Sequence, residues 1–493
     1  MKPTVGASDR AGSCQANKYG TQLSRTLKPS WTWAIALGSA VGWGAFVLPT
    51  DWLATAGPLG AVLGFLIGGA LMLVIAVSFG HMVRIFPVSG GAFVYALLEF
   101  GRRHAFVCGW FLTLAYICIV ALNASALAML ARFLLPQVAE QGLLYEVAGW
   151  EVYLGEILIA SAALVIFAVL NVRGASLSGR LQYIFCLIMV AGVALVALSV
   201  ALHPDSGWDN LRPAFALDTP PWAAVLAIVA IAPWALAGFD IIPQVAEEFD
   251  FPPTKAFRLI VLAITAAVAL YAVMIIATAG PMPWTTLTAE QPVWGTGHAI
   301  SELFGGLGVL MLTVPLLMGI ATGLNGFYVA ASRLLLAMGR ARIIPQTFAS
   351  VHPRHKTPHI GIVFSAGVCL IAPWFGREVL LWVVDMSAVG FATGFAFACL
   401  AAHKRLRSLR ARKNGESAMS ARRLISLSGA IISLTFVALL LVPGSPAALG
   451  KESLIALLIW TALGGLFYIV RLRGHDNSPA EELSGLHSES PTG

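Results

Sequence analysis

The sequence predicts an all-α polytopic membrane protein with twelve transmembrane helices, and three observations carry that prediction. Of 493 residues, 58% are hydrophobic and 11% charged, with a mean hydropathy of +0.81, more apolar surface than an ordinary soluble core can hide. Twelve apolar stretches each approach the ~20 residues that cross a hydrocarbon layer of ~30 Å. The first and sixth of these are interrupted by glycine and proline at matching depth.

The stretches run 31–56, 59–83, 105–135, 152–170, 177–202, 221–246, 257–280, 303–337, 359–375, 379–402, 424–443 and 452–470. The third and eighth are long enough to tilt. Charge sorts the connecting loops: Arg132, Arg212, Arg377 and Lys451 fall on one side, and the other 27 of the 31 lysines and arginines on the opposite side. The positive-inside rule then puts both termini in the cytoplasm of a cell whose inner membrane holds the protein. The run KRLRSLRARKNGESAMSARR becomes a cytoplasmic loop at the headgroups, so the net charge of +7 is topogenic and no nucleic-acid partner is expected. Residues 1–30 and 474–493 are polar and rich in small residues and are predicted to be disordered and cytoplasmic. No cleaved signal sequence precedes the first span. Six scattered cysteines show no paired spacing for a metal or redox couple and read as small packing residues.

The stretch GSAVGWGAFVLP, residues 38–49, places three glycines and a proline inside the first span, and PWALAGFDIIPQ repeats the theme in the sixth. Unwound backbone at membrane depth survives only where protein buries it or where it lines a polar cavity. Five spans separate the two breaks. An odd number of crossings flips the second unit, which predicts an inverted repeat of 31–203 (helices 1–5) and 221–403 (helices 6–10), with 424–470 as a peripheral pair. Such a repeat is the sign of a secondary transporter with its site at the midplane. A half-helix restarting near Ala45 offers N–H groups to a carboxylate, while the half ending near Ala40 offers carbonyls to an ammonium or a cation, so a zwitterion fits both poles. Gly42 and Gly44 allow the unwinding and the close approach of a ligand.

On GWGAFVLP, FPVSGGAFVYALLEFG (86–101), PWALAGFD with AEEF, and ASRLLLAMGR followed by IIPQTFASVHPRHKTP (331–358), the chain resembles the amino acid/polyamine/organocation permeases over 28–473. The resemblance implies the leucine-transporter type fold, with ten core helices and two peripheral ones, and alternating-access transport of an amino acid or amine. It further implies that a substrate carboxylate meets the backbone at Trp43 and Gly44, and an amino group the carbonyls of Ala40, Trp234 and Ala237. Trp234 resembles the aromatic gate over bound substrate, and its ring also offers cation–π attraction. Relatives carry a small or hydroxyl residue at the position of Trp43; the indole here either packs away between helices or trims the pocket.

Asp240 resembles an acidic position tied to proton sensing; capping the restarted half-helix is the alternative. Thr322 resembles a residue of the sodium-site region of relatives, and Asn325 is another intramembrane polar group; helix–helix hydrogen bonding is the alternative for both. The helix-5 lysine of cationic-amino-acid relatives aligns with Met189 here. His81 and Asp385 read as structural or interfacial, and Glu247 and Glu248 as a solvated or gate-forming salt bridge rather than a substrate contact. No nucleophile, paired carboxylates or His/Cys cluster appears at membrane depth, which argues against an enzyme, and no filter-like segment suggests a channel. The expected substrate is an amino acid with a neutral side chain, taken up with protons or exchanged, with H+ or Na+ as coupling ion and no cofactor. The alternative is an organic amine such as ethanolamine or a polyamine. The protein is expected to be a monomer or homodimer.

Overall fold

The computed structural model describes residues 23–147, 150–290, 292, 294–376, 378–412, 417–445 and 447–471. Its helices are α1 Pro29–Val41, α2 Gly44–Val47, α3 Pro49–Ile85, α4 Gly91–Phe100, α5 Arg102–Leu134, α6 Leu154–Val172, α7 Ala175–Leu202, α8 Pro221–Ala230, α9 Ala232–Ala235, α10 Ile241–Gln244, α11 Ala256–Ala279, α12 Gly295–Arg340, α13 His359–Cys369, α14 Glu378–Arg412, α15 Ser417–Leu441 and α16 Lys451–Arg471. Among the described residues, nine helices are long and apolar enough to cross a membrane. The first, sixth and ninth expected spans are absent from that count because each is divided into shorter pieces. The first is split at Gly42, and its last turns run into α3 as far as Gly57, whose φ of 69° separates it from the second. Pro58 follows directly, suited to the start of a new helix.

Two expectations need correction. The segment 1–30 lies outside the described residues up to position 22, but 23–30 is ordered rather than loose. Leu23 packs with Leu336 and Val351, and Leu27 forms a parallel bridge with Phe249. The tail 474–493 lies outside the described residues. The helix of the tenth span does not stop at 402: α14 runs on to Arg412, because Lys, Arg, Leu and Ala are all good helix formers. Between α5 and α6 the chain forms a short antiparallel hairpin, β1 Leu143–Val147 and β2 Trp150–Tyr153, with Glu146 opposite Glu151. Arg132 closes it, 3.0 Å from Glu140 and 4.5 Å over the Trp150 ring.

The core gathers on α1, α5, α8–α10 and α12. One face of α12 carries Gly319, Gly323 and Gly326, where added side chains would collide with the Gly42 carbonyl, the Asn123 amide and the Ser39 hydroxyl respectively. That bare stripe lets the backbone at Gly42 and the Ser39 and Asn123 side chains press close against α12.

At the end rich in Lys and Arg the bundle is sealed by a charged clasp. The N–H groups of Thr26 and Leu27 both donate to the Glu248 carbonyl, at 3.0 and 2.9 Å, and Asp250 N–H returns a bond to Leu27 at 3.0 Å. The Arg333 guanidinium meets both carboxylate oxygens of Glu248, at 2.8 and 3.0 Å, with side-chain exposures of 1% and 0%. Arg340 meets Glu247 at 2.9 Å, and Glu247 also accepts the Ser89 N–H at 3.0 Å. The acidic pair at the end of the sixth span therefore forms salt bridges, as the sequence suggests. Leaving one partner of a buried pair uncompensated costs about 3–5 kcal/mol, whereas removing both is near neutral when volume is conserved. Glu248→Leu is thus expected to lower the melting temperature of the purified protein clearly, and Glu248→Leu with Arg333→Met to recover most of the loss, measured by intrinsic fluorescence on heating.

Candidate functional site

Helix α1 ends because Gly42 turns to φ 50°, ψ −146°, after donating its N–H to Gly38 at 3.0 Å; the chain passes through Trp43 and resumes as α2 at Gly44. The sixth span breaks twice, after Ala230 and again over 236–240, before α10 and a 3-10 turn at Ala246–Glu248. Gly238 holds φ 134°, and a Cβ on it would stand 2.7 Å from the Ala36 carbonyl oxygen and from the Ala40 nitrogen. The two interrupted segments are therefore in contact, backbone against backbone. Gly238→Ala combines a forbidden backbone angle with that collision. It is expected to abolish the folded protein or to depress its melting temperature further than Glu248→Leu does.

Between the breaks lies a cavity of about 20 Å³, lined by α1–α2, α5, α9, α11 and α12. Of the residues expected to touch a ligand, Ala40, Gly42, Trp43, Gly44 and Trp234 line it. Ala237, Asp240 and Thr322 do not. Trp43 is also among the residues that line a second cavity of about 30 Å³, with Val47, Ala126, Phe133 and Trp294. There Trp294 donates its indole N–H to the Phe46 carbonyl at 2.8 Å and meets Phe133 edge to face at 5.2 Å.

Sequence reasoning missed Ser39, Asn123, Tyr271 and Phe327, which also line the cavity. The Tyr271 hydroxyl lies 2.7 Å from the Ala40 carbonyl, 2.9 Å from that of Ala235 and 3.3 Å from that of Val41. It ties the broken ends of the first and sixth spans together, held by stacking on Phe65 at 4.7 Å. A single polar tyrosine or asparagine in an apolar run was the only available signal, and nothing local says where it points. Ser39 Oγ, Asn123 Oδ1 and Trp234 Nε1 are buried and have no hydrogen-bond partner among the described residues. Among those residues, no charged side chain lines the cavity.

Asp240 is sealed behind this chamber. One carboxylate oxygen accepts the Gly238 N–H at 2.9 Å, the other the Tyr116 hydroxyl at 2.5 Å, and Tyr116 in turn accepts from Gln244 at 3.1 Å. Although Asp240 stands at the N-cap position of α10, its side chain makes no capping bond to that helix. It braces the second break against α5 instead. Thr322 lies on the α1–α12 seam, its hydroxyl 3.0 Å from the Gly38 carbonyl and 2.8 Å from that of Gly319. The α7 residue facing this seam is Gln182, not Met189. Its amide nitrogen is 3.3 Å from the Ala34 carbonyl and 3.2 Å from that of Thr322, while its oxygen accepts from Asn325 at 2.7 Å. Asn325 extends the network to Asn171 and Ser178 at 2.9 and 2.8 Å.

Residues 28–464 match the family model described as amino acid permease. The chain belongs to the amino acid permease family. It is 25% identical to a methylthioribose transporter of Bacillus subtilis, over 93% of this chain and 96% of that protein. It is 24% identical to the aromatic amino acid transport protein AroP of Salmonella typhimurium, covering 74% and 77%, and 23% identical to the branched-chain amino acid permease BcaP of Bacillus subtilis, covering 67% and 70%. This is a family of membrane transporters, not of enzymes, and the many apolar helices agree with it.

A Cβ at Gly44 would meet Trp234 at 3.5 Å and the Tyr271 hydroxyl at 3.9 Å, ordinary van der Waals distances. Gly44→Ala should therefore fold normally, whereas the branched side chain of Gly44→Val fills the cavity. The expectation is unchanged expression and melting temperature for both variants, with ligand-induced stabilisation and uptake lost only in the valine variant.

Proposed function

We propose that the protein is a secondary transporter that moves a small molecule with a polar head and an uncharged, apolar remainder across the cytoplasmic membrane by alternating access. An amino acid with a neutral side chain is the first such substrate. The reading rests on one observation above others: two interrupted segments meet across a cavity with unpartnered polar atoms nearby and, among the described residues, no charged side chain in its lining. An aspartate or lysine side chain would have to enter without a counter-charge there, at a large desolvation cost. An ethanolamine or polyamine substrate lacks a carboxylate partner for its ammonium for the same reason. The second reading is a neutral thioether sugar, favoured by the methylthioribose transporter that spans nearly the whole chain. The substrates named for the three relatives share a polar head and an apolar part.

In this reading twelve spans form two inverted five-helix repeats and a peripheral pair, with the divided first, sixth and ninth spans counted. The basic end faces the cytoplasm, and closure at both ends corresponds to an occluded state. Purified protein in proteoliposomes is expected to catalyse counterflow of a labelled neutral amino acid or of 5-methylthioribose. Flux rising linearly with concentration, without saturation or counterflow, would point to a channel instead.

Protons are the coupling ion that the geometry favours. The carbonyls of Ala34 and Thr322 already accept from the uncharged Gln182 amide, which leaves a cation near Thr322 poorly supplied with oxygen ligands. Asp240 is the acidic group set against the moving break. Asp240→Asn is expected to fold and bind substrate while losing most of the pH dependence of transport, measured as counterflow between pH 5 and 8. Retention of the wild-type profile would leave Asp240 as a structural brace.

A further inference from the structure

We infer that Trp43 is a movable partition in a two-part binding site: a polar chamber that holds a ligand head donating a hydrogen bond to Asn123, and an apolar chamber that takes the ligand's tail. The inference rests on the transport reading and adds the shape and chemistry of what is carried. Each chamber, at about 20 and 30 Å³, has room for roughly one or two waters. A ligand of even modest size fits neither alone. Trp43 borders both, and it stands at the break between Gly42, whose φ is 50°, and Gly44. Swinging that one side chain joins the chambers into a single elongated site without moving a helix.

The two halves ask for different chemistry. In the first, Asn123 donates its amide N–H to the Ile119 carbonyl at 2.8 Å, which fixes its unpartnered Oδ1 as an acceptor. Trp234 Nε1–H is a donor without a partner. A head with both an N–H or O–H donor and an acceptor matches this acceptor and this donor, and leaving buried polar groups unpaired is costly. In the second, Val47, Ala126, Met129 and Leu130 offer apolar surface, and the Trp294 indole N–H is already bonded to the Phe46 carbonyl. A charged or strongly hydrated tail would lose its water there with nothing in exchange. Met129 is the adaptable element, able to reshape around tails of different form.

The test pairs probes that share a head and differ in the tail: glycine with L-leucine and L-phenylalanine, and D-ribose with 5-methylthioribose. Binding to the full-length protein is followed by thermal stabilisation. At least one tailed probe is expected to bind tenfold or more tightly than its short partner. Ala126→Phe, which fills the apolar chamber, should erase that advantage, and Ala126→Val should reduce it, while the melting temperatures of the ligand-free variants verify folding. Asn123→Leu should weaken the tailed and short members of a pair by the same factor. Equal binding of tailed and short probes, or a tail preference that survives Ala126→Phe, overturns the two-chamber site. The transport reading fails separately, by absence of counterflow of any probe that binds the wild-type protein.

Discussion

Inside a bilayer an unpaired backbone amide has no water to turn to, and the whole design of this protein follows from having broken two helices under that constraint. Each freed carbonyl or N–H must find protein. The single proton of the Tyr271 hydroxyl lies within reach of carbonyls at both breaks, Asp240 takes the Gly238 N–H, and Thr322 and Gln182 add second donors to the Gly38 and Ala34 carbonyls of α1. These partners come from α7, α11, α12 and the sixth span itself. The breaks therefore do more than open a cavity: they recruit the surrounding helices and specify how they stand. The glycine stripe on α12 follows from the same demand, since only bare backbone comes close enough to Gly42 and Ser39.

The polar groups divide into two populations with different tasks. Along the α1–α7–α12 seam every member is neutral: Asn171, Ser178, Gln182, Thr322 and Asn325 exchange hydrogen bonds without a charge to hydrate. Such a network specifies register at modest cost and does not reward water entry. At the basic end stand charged pairs, where Glu247 and Glu248 meet Arg340 and Arg333. A seam that never opens is well made from amides. A seam that opens is better made from ions, because separated ions recover hydration as water arrives.

How far the sequence revealed this depends on whether a feature is local. The breaks were legible, because glycine, proline and a polar side chain within ten residues of an apolar run are incompatible with one unbroken helix facing lipid. The family was legible from the same segments. What the breaks bond to was not: Tyr271 lies more than two hundred residues from Ala40, and Asn123 carries no mark that distinguishes a cavity-lining asparagine from one that ties two helices. Register along α7 failed for a related reason. Met189 and Gln182 differ by seven residues, two helical turns, so both occupy the same face, and only depth decides which meets Thr322. Asp240 has the position of a cap without the bonds of one. Its side chain goes elsewhere because Tyr116 offers a stronger donor than the N–H groups of a one-turn helix. Residues 23–30 look loose by composition, yet two backbone N–H groups docking on one carbonyl require no particular side chains.

The two ends of the cavity are closed by unlike forces, and this sets how each would open. The basic end relies on a hydrogen-bonded strand segment and ion pairs, so opening it trades about five directed bonds for bonds to water, with little net change once solvent is admitted. The opposite end is lined by the buried rings of Trp43 and Trp294, with the exposed Phe133 against Trp294, and uncovering the buried rings costs roughly 25 cal/mol for each Å² of apolar surface and is not repaid by hydration. A ligand whose tail replaces that lost contact would offset the cost, and one lacking a tail would not. Substrate choice and the opening of the aromatic end are in this way the same interaction, made by the indole that stands between the two chambers.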